Sequence, residues 1–179
     1  MKNQIFSPII LRREIPNDIP LIHELNSKVF EGMGEARVVD LLRGHCDPFL
    51  SIVAEVNSQI VGHVLFTPVQ LVPDEGEVLQ GMGLAPLAVD PEFQNQGIGT
   101  ILCEAGLEEL KTLGTPFVFV LGHPNYYPRF GFKPAAKFNL RCAYEGVPAE
   151  AFMIMVFQPQ KLEGLSGVVN YRQEFDEVT

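Results

Sequence analysis

The chain has 179 residues, 46% apolar and 20% charged, with a formal net charge of −9. That length suits one domain with a full core, and the apolar content excludes a disordered chain. No apolar run approaches the ~18 residues of a membrane span, Met1 to Gln4 lack the basic and apolar regions of a leader, and the acidic balance argues against nucleic-acid partners, so a cytoplasmic protein off membranes is expected.

Residues 8 to 13 read as a first strand. Pro16-Asn17-Asp18 marks a helix start with Asp18 as N-cap. Ile19, Ile22, Leu25 and Val29 recur at helical spacing and predict an amphipathic helix over 19–30. Glu31-Gly32-Met33-Gly34 breaks it, and a second helix runs over 35–45 with Val38, Leu41 and Leu42 inward. Residues 50–56 and 59–67 predict a hairpin about Asn57-Ser58, although Gln59 is not a usual residue of a tight turn. Pro68 ends the second strand as a central one. A turn over 73–76 leads into an extended segment, 77–89. A helix is expected over 97–113 with Gly114 as its C-cap. Residues 116–121 are continuously apolar, as in a strand buried on both faces. The Pro- and aromatic-rich stretch 122–132 predicts one short helical turn. The last strands are expected at 135–140 and 150–157, and the tail through Tyr171 and Phe175 folds back along the domain. One domain over 1–179 is expected, with a core at 8–157 and an extension at 158–179. Cys46, Cys103 and Cys142 are odd in number and far apart, which speaks against a disulfide framework or a zinc site; no metal is expected.

The informative stretch lies at 84–113. An apolar segment ends at Asp90-Pro91, a turn signal, a polar glycine-containing loop follows, and then the long helix. Strand, loop and helix suit an anion, because a helix N-terminus leaves N–H groups without intrahelical partners and adds partial positive charge. Gly97 and Gly99 carry no Cβ, so a phosphate can approach the backbone closely. No Gly-Lys-Ser/Thr follows, which removes a P-loop. No third Gly stands three residues after Gly99, which removes a dinucleotide fingerprint.

Gln94-x-x-Gly97-x-Gly99 resembles the coenzyme A loop of the GNAT N-acetyltransferases, Gln/Arg-x-x-Gly-x-Gly/Ala. The element order also resembles that superfamily over residues 8–157. Gly-His-Pro-x-Tyr-Tyr-x-Arg-Phe-Gly-Phe at 122–132 and Leu-x-Gly-Leu-Ser-Gly at 162–167 resemble its bacterial YhbS-like predicted acetyltransferases. The resemblance implies a mixed α/β (α+β) fold, the GNAT acyl-CoA N-acyltransferase fold. Its sheet would be mainly antiparallel, of about seven strands flanked by about four helices. It implies acetyl-CoA as cosubstrate. Leu87, Ala88 and Val89 would meet the pantetheine arm, with the Leu87 N–H near the thioester oxygen as an oxyanion donor. Gln94, Asn95, Gln96, Gly97, Ile98, Gly99 and Thr100 would hold the pyrophosphate. Tyr127, four residues before Gly131, matches a tyrosine beside the thioester sulfur. A phenol of pKa ~10 can protonate the departing thiolate, a role worth ~10²–10⁴ in rate. The alternative for Tyr127 is packing, which is the reading for Tyr126.

Two positions depart from the family pattern. Val120 stands where many members carry an asparagine that bonds pantetheine, and Asn125 is the substitute candidate. Met82-Gly83-Leu84 stands where some carry a glutamate base. Water, Glu31, His63 or His123 remain to deprotonate the amine. His63 also reads as a hydrogen-bonded strand residue and His123 as a turn residue. Glu31, with Glu35 and Arg37, is an acceptor-site candidate because the first two helices border that site in the family. Arg129 is a surface cation or a cofactor support. The expected reaction is acetyl transfer to a primary amine, on a small molecule or peptide, by direct attack. A non-catalytic acyl-CoA-binding or regulatory module, a longer acyl group and a hydroxyl acceptor are the alternatives, and a homodimer is one assembly the sequence allows.

Overall fold

A computed structural model describes residues 8–177; residues 1–4, on which the expectation of no leader rests, lie outside them. Nine strands and three α-helices form among the described residues. The strands β1 (Ile10–Arg13), β2 (Leu50–Val56), β3 (Gln59–Pro73), β4 (Leu79–Val89), β5 (Phe117–Leu121), β6 (Lys133–Pro134), β7 (Leu140–Cys142), β8 (Phe152–Val156) and β9 (Gly167–Asn170) bond in the order β1-β2-β3-β4-β5-β8-β6, with β9 on β3 and β7 on β9. β1–β2, β2–β3, β3–β9, β5–β8 and β6–β8 pair antiparallel, while β4–β5 and β7–β9 pair parallel. The described backbone divides into two compact units, one from residues 8–66, 86–106 and 173–177, the other from 67–85 and 107–172.

The first unit holds β1 (Ile10–Arg13), α1 (Ile19–Val29), α2 (Gly34–His45), β2 (Leu50–Val56) and the start of β3 (Gln59–Pro73). It also holds the end of β4 (Leu79–Val89) and the first half of α3 (Ile98–Thr112). Ile22 and Leu25 of α1, Val38, Val39 and Leu42 of α2, and Val53, Leu65 and Ala88 of the strands share one core. Val39 takes the inward place expected of Leu41, which is half-buried. Asn57 and Ser58 have φ of 50° and 64°, as a type I′ turn demands at both central residues. Gln59 is therefore the first residue of β3 and not part of the turn. Asp18 precedes α1 but does not cap it. Its carboxylate accepts from Arg12 at 2.5 and 3.0 Å and from the Ile15 N–H at 2.8 Å, so an ion pair outcompetes the cap.

The second unit holds the rest of β3, β4 and α3, then β5 (Phe117–Leu121), β6 (Lys133–Pro134), β7 (Leu140–Cys142), β8 (Phe152–Val156) and β9 (Gly167–Asn170). β3 runs through Pro68. That residue lies between the stretch paired to β2, which ends at Phe66, and the stretch paired to β9, which begins at Gln70. A missing N–H is tolerated at such a break. The strand expected at 135–140 is instead a 3-10 turn, Ala135–Phe138, closed by Asn139 at φ 56°. Just ahead of it, Lys133 and Pro134 form a two-residue strand on β8. The expected short helix is the 3-10 turn Tyr127–Phe130. Gly114 ends α3 as expected, at φ 80°, with the Thr115 N–H donating to the Leu110 carbonyl. The tail supplies β9, antiparallel to residues 70–73 of β3. Gly167 permits this, because a Cβ there would stand 2.4 Å from the Val72 carbonyl oxygen.

Candidate active site

In the first unit, β4 delivers the chain to the loop. Ala88 is fully buried while Leu87 and Val89 are half-exposed, the alternation of a strand with one covered face. The Asp90 N–H donates to the Val61 carbonyl at 2.9 Å. The Asp90 carboxylate accepts from the Glu92 N–H at 3.0 Å and caps the 3-10 turn Pro91–Phe93. Lys28 Nζ reaches both carboxylate oxygens, at 3.0 and 2.9 Å, and this pairing raises the lysine's pKa. Beyond the turn, Gln94 Nε2 donates to the Val89 carbonyl at 3.0 Å and Gln96 Nε2 to the Glu92 carbonyl at 3.2 Å. Asn95 and Gly97 take φ of 61° and 87°.

The Ile101 N–H donates to the Gly97 carbonyl at 3.1 Å and opens α3. The N–H groups of Ile98, Gly99 and Thr100 then lie in the first turn, where no i−4 acceptor exists. A Cβ at Gly97 would meet nothing within 4 Å, so the approach to this helix end is open. Ile98 is buried and anchors it. Two glycines let α3 sit low on β3. A Cβ at Gly62 would stand 2.8 Å from Ile98 Cγ2 and from Leu102 Cδ1, and one at Gly106 would stand 2.2 Å from Phe66 Cε2. Sequence reasoning passed over both; a glycine inside a strand and another inside a helix were the available signal.

The acceptor-site candidates differ sharply. Glu31 is exposed, at φ 51°, on the turn between α1 and α2. His63 is fully buried. Its Nδ1 lies 3.2 Å from Asn26 Nδ2 and its Nε2 lies 3.0 Å from Ser51 Oγ. Asn26 Nδ2 also donates to the Ile22 carbonyl, which fixes that atom as the amide nitrogen. Nδ1 therefore accepts, and Nε2–H donates to Ser51. Ser51 Oγ donates in turn to Glu14, whose carboxylate accepts from Arg43 Nε at 2.6 Å. Burial drives the pKa of His63 down to about 4, with Glu14 opposing and Arg43 reinforcing the shift. A neutral ring with both nitrogens engaged and no solvent exposure has no route to a diffusing amine.

In the second unit, β4 runs parallel to β5 from Met82 opposite Val118 to Leu84 opposite Val120. Val120 is buried and brings no polar group to the asparagine position. After β5, the Tyr126 N–H donates to the His123 carbonyl at 3.0 Å and closes a turn on which His123 and Asn125 are exposed. Tyr127 is 8% exposed. Its ring lies against Gly122, where a Cβ would stand 2.3 Å from Tyr127 Cε2. Tyr126 and Phe132 meet it edge-on, at 5.1 and 5.7 Å between ring centroids. Gly131 closes the 3-10 turn at φ 98°, which explains the glycine of Phe130-Gly131-Phe132. Arg129 sits over the Tyr126 ring at 4.5 Å and donates to its carbonyl at 2.9 Å. Leu87 to Thr100 thus form one continuous segment of the first unit, and His123, Asn125 and Tyr127 share one turn of the second. Among the described residues no cluster of three or more His, Cys, Asp or Glu can hold a metal, and no helix is long and apolar enough to cross a membrane.

A mixed, mostly antiparallel sheet with a strand, loop and helix in succession at the end of β4 is the arrangement of the GNAT class of acyltransferases. The chain belongs to the GNAT acetyltransferase family: the Acetyltransferase (GNAT) domain matches residues 11–135, and membership makes it an acyltransferase. It is 38% identical over 171 residues to the uncharacterized N-acetyltransferase YhbS of Escherichia coli strain K12, covering 94% of this chain and 99% of that one. The crystal structure of Escherichia coli YhbS in complex with CoA superposes with a TM-score of 0.88 at 37% identity, covering 99% of this chain and 97% of that one. A GNAT acetyltransferase from Brucella melitensis in complex with acetyl-CoA gives 0.77 at 31% identity, covering 95% and 99%.

Proposed function

We propose that the protein transfers the acetyl group of acetyl-CoA to a primary amine by direct attack, and that residues 1–179 act as one transferase domain. The observation that carries the reading is the open helix end at Gly97, with three first-turn N–H groups beside it. It supports binding of the pyrophosphate by residues 94–100. Relatives solved with CoA and acetyl-CoA support the same cosubstrate.

In this reading the Leu87 N–H donates to the thioester oxygen as negative charge develops there. Leu87, Ala88 and Val89 align the pantetheine arm through their backbone, and Asn125 is the polar side chain available in place of the absent asparagine. The amine loses its extra proton to water, with Glu31 or His123 as the exposed side chains able to assist. Its nitrogen then bonds to the acetyl carbon and releases its second proton to solvent as the carbon–sulfur bond breaks. Tyr127 gives its proton to the thiolate and regains one from solvent. Holding both reactants together supplies much of the acceleration.

Incubation with acetyl-CoA and a panel of small and peptidyl primary amines, read by mass spectrometry, tests this. An N-acetylated product is expected for at least one amine class. Acetyl-CoA binding with no product from any amine would instead favour a non-catalytic binding module.

A further inference from the structure

We propose that Lys28 and Asp90 form a positioning pair that holds the cofactor loop to α1, an inference that rests on reading residues 94–100 as the pyrophosphate cradle. Three restraints converge on Asp90. Its N–H is bonded to Val61 on β3, its carboxylate caps the turn Pro91–Phe93, and both its oxygens are held by Lys28 from the last turn of α1. The Asp90 side chain is only 7% exposed, so loss of the lysine strands a nearly buried carboxylate with one donor. The loop hangs from this knot. Gln94 bonds back to Val89 and Gln96 to Glu92, the residues on either side of Asp90–Pro91. At its other end the loop is fixed where α3 sits on Gly62 and Gly106. A row of backbone donors recognises an anion only if its members keep their mutual geometry. The pair fixes the upstream end of that row.

Lys28 is not itself the phosphate ligand in this account, because both carboxylate oxygens already hold its ammonium. That separates positioning from charge. If charge alone mattered, Asp90→Asn would remove a negative group and tighten binding of the anion. Positioning requires the opposite sign.

The test is calorimetric titration of the full chain with acetyl-CoA and with S-acetylpantetheine, which lacks the pyrophosphate. Asp90→Asn and Lys28→Met are each expected to weaken acetyl-CoA about tenfold, leave S-acetylpantetheine unchanged, and raise the KM for acetyl-CoA more than they lower kcat. Lys28→Arg is expected to restore wild-type affinity. Where Asp90→Asn does not fold, the Lys28→Met and Lys28→Arg pair decides. Tighter acetyl-CoA binding by Asp90→Asn, equal weakening of both ligands, or no change in either variant would overturn the pair. Equal wild-type affinity for the two ligands would instead remove the cradle itself, a separate failure.

Discussion

At the scale of single residues, His63 shows how burial sets behaviour. Its pKa falls from 6.5 to about 4 because the ring is sealed in the first unit. Between those values the unfolded chain binds a proton that the folded chain does not. Stability from this group is therefore complete above about pH 6.5 and is lost as pH falls toward 4. The loss is on the order of 3 kcal/mol. Urea unfolding at pH 7 and pH 4.5 should show a smaller difference for His63→Gln than for the wild type. An equal difference in both would remove His63 as the source. Tyr127 carries the opposite kind of prediction. Phe keeps the ring against Gly122 and Phe132 and deletes only the hydroxyl. Tyr127→Phe should lower kcat by roughly 10²-fold or more with acetyl-CoA affinity unchanged. A packing role alone predicts wild-type turnover.

At the scale of elements, the seating of α3 on β3 decides where the helix end proposed to bind the anion stands. Gly106→Ala would drive a Cβ into the buried Phe66 ring, at 2.2 Å in the unrelaxed structure. Overpacking of this kind costs about 1–3 kcal/mol, so thermal unfolding should shift down by several degrees. Gly97→Ala tests the other property of the same element. Its Cβ would enter open space, and the left-handed backbone costs roughly 1–2 kcal/mol with a side chain present. Its larger effect should be on acetyl-CoA binding, read by calorimetry. Most elements were legible in the sequence because their signals are local. Asn57-Ser58, Gly114 and the Pro- and aromatic-rich turn at 122–132 state their conformations through turn chemistry, and α1 and α3 through apolar spacing. Of the misses, one is tertiary and one local. β3 continues past Pro68 because β9, about a hundred residues later, pairs with it beyond the proline. The turn at Ala135–Phe138 replaces a strand because Asn139 adopts a left-handed conformation. The polar, glycine-containing loop at 94–100 was legible from its residues, and its assignment to coenzyme A came from the family resemblance. The clamp on Asp90 was not legible, since Lys28 lies sixty-two residues away and no local pattern announces an ion pair.

At the scale of the molecule, the formal charge of −9 opposes a polyanionic cosubstrate, so the proposed recognition rests on short-range backbone donors. Screening should therefore help encounter. The association rate of acetyl-CoA is expected to rise with ionic strength and not to fall, as stopped-flow mixing in a salt series would show. A falling rate would point to a local basic path that outweighs the net charge. Membership of the GNAT family sets the reaction class and leaves the acceptor to experiment. The measurement that bears most directly on direct acetyl transfer is the initial rate of thiol release with acetyl-CoA and a productive amine both varied. The account predicts amine-dependent release with intersecting double-reciprocal lines, as a ternary complex requires. Parallel lines, or thiol release independent of amine, would contradict it.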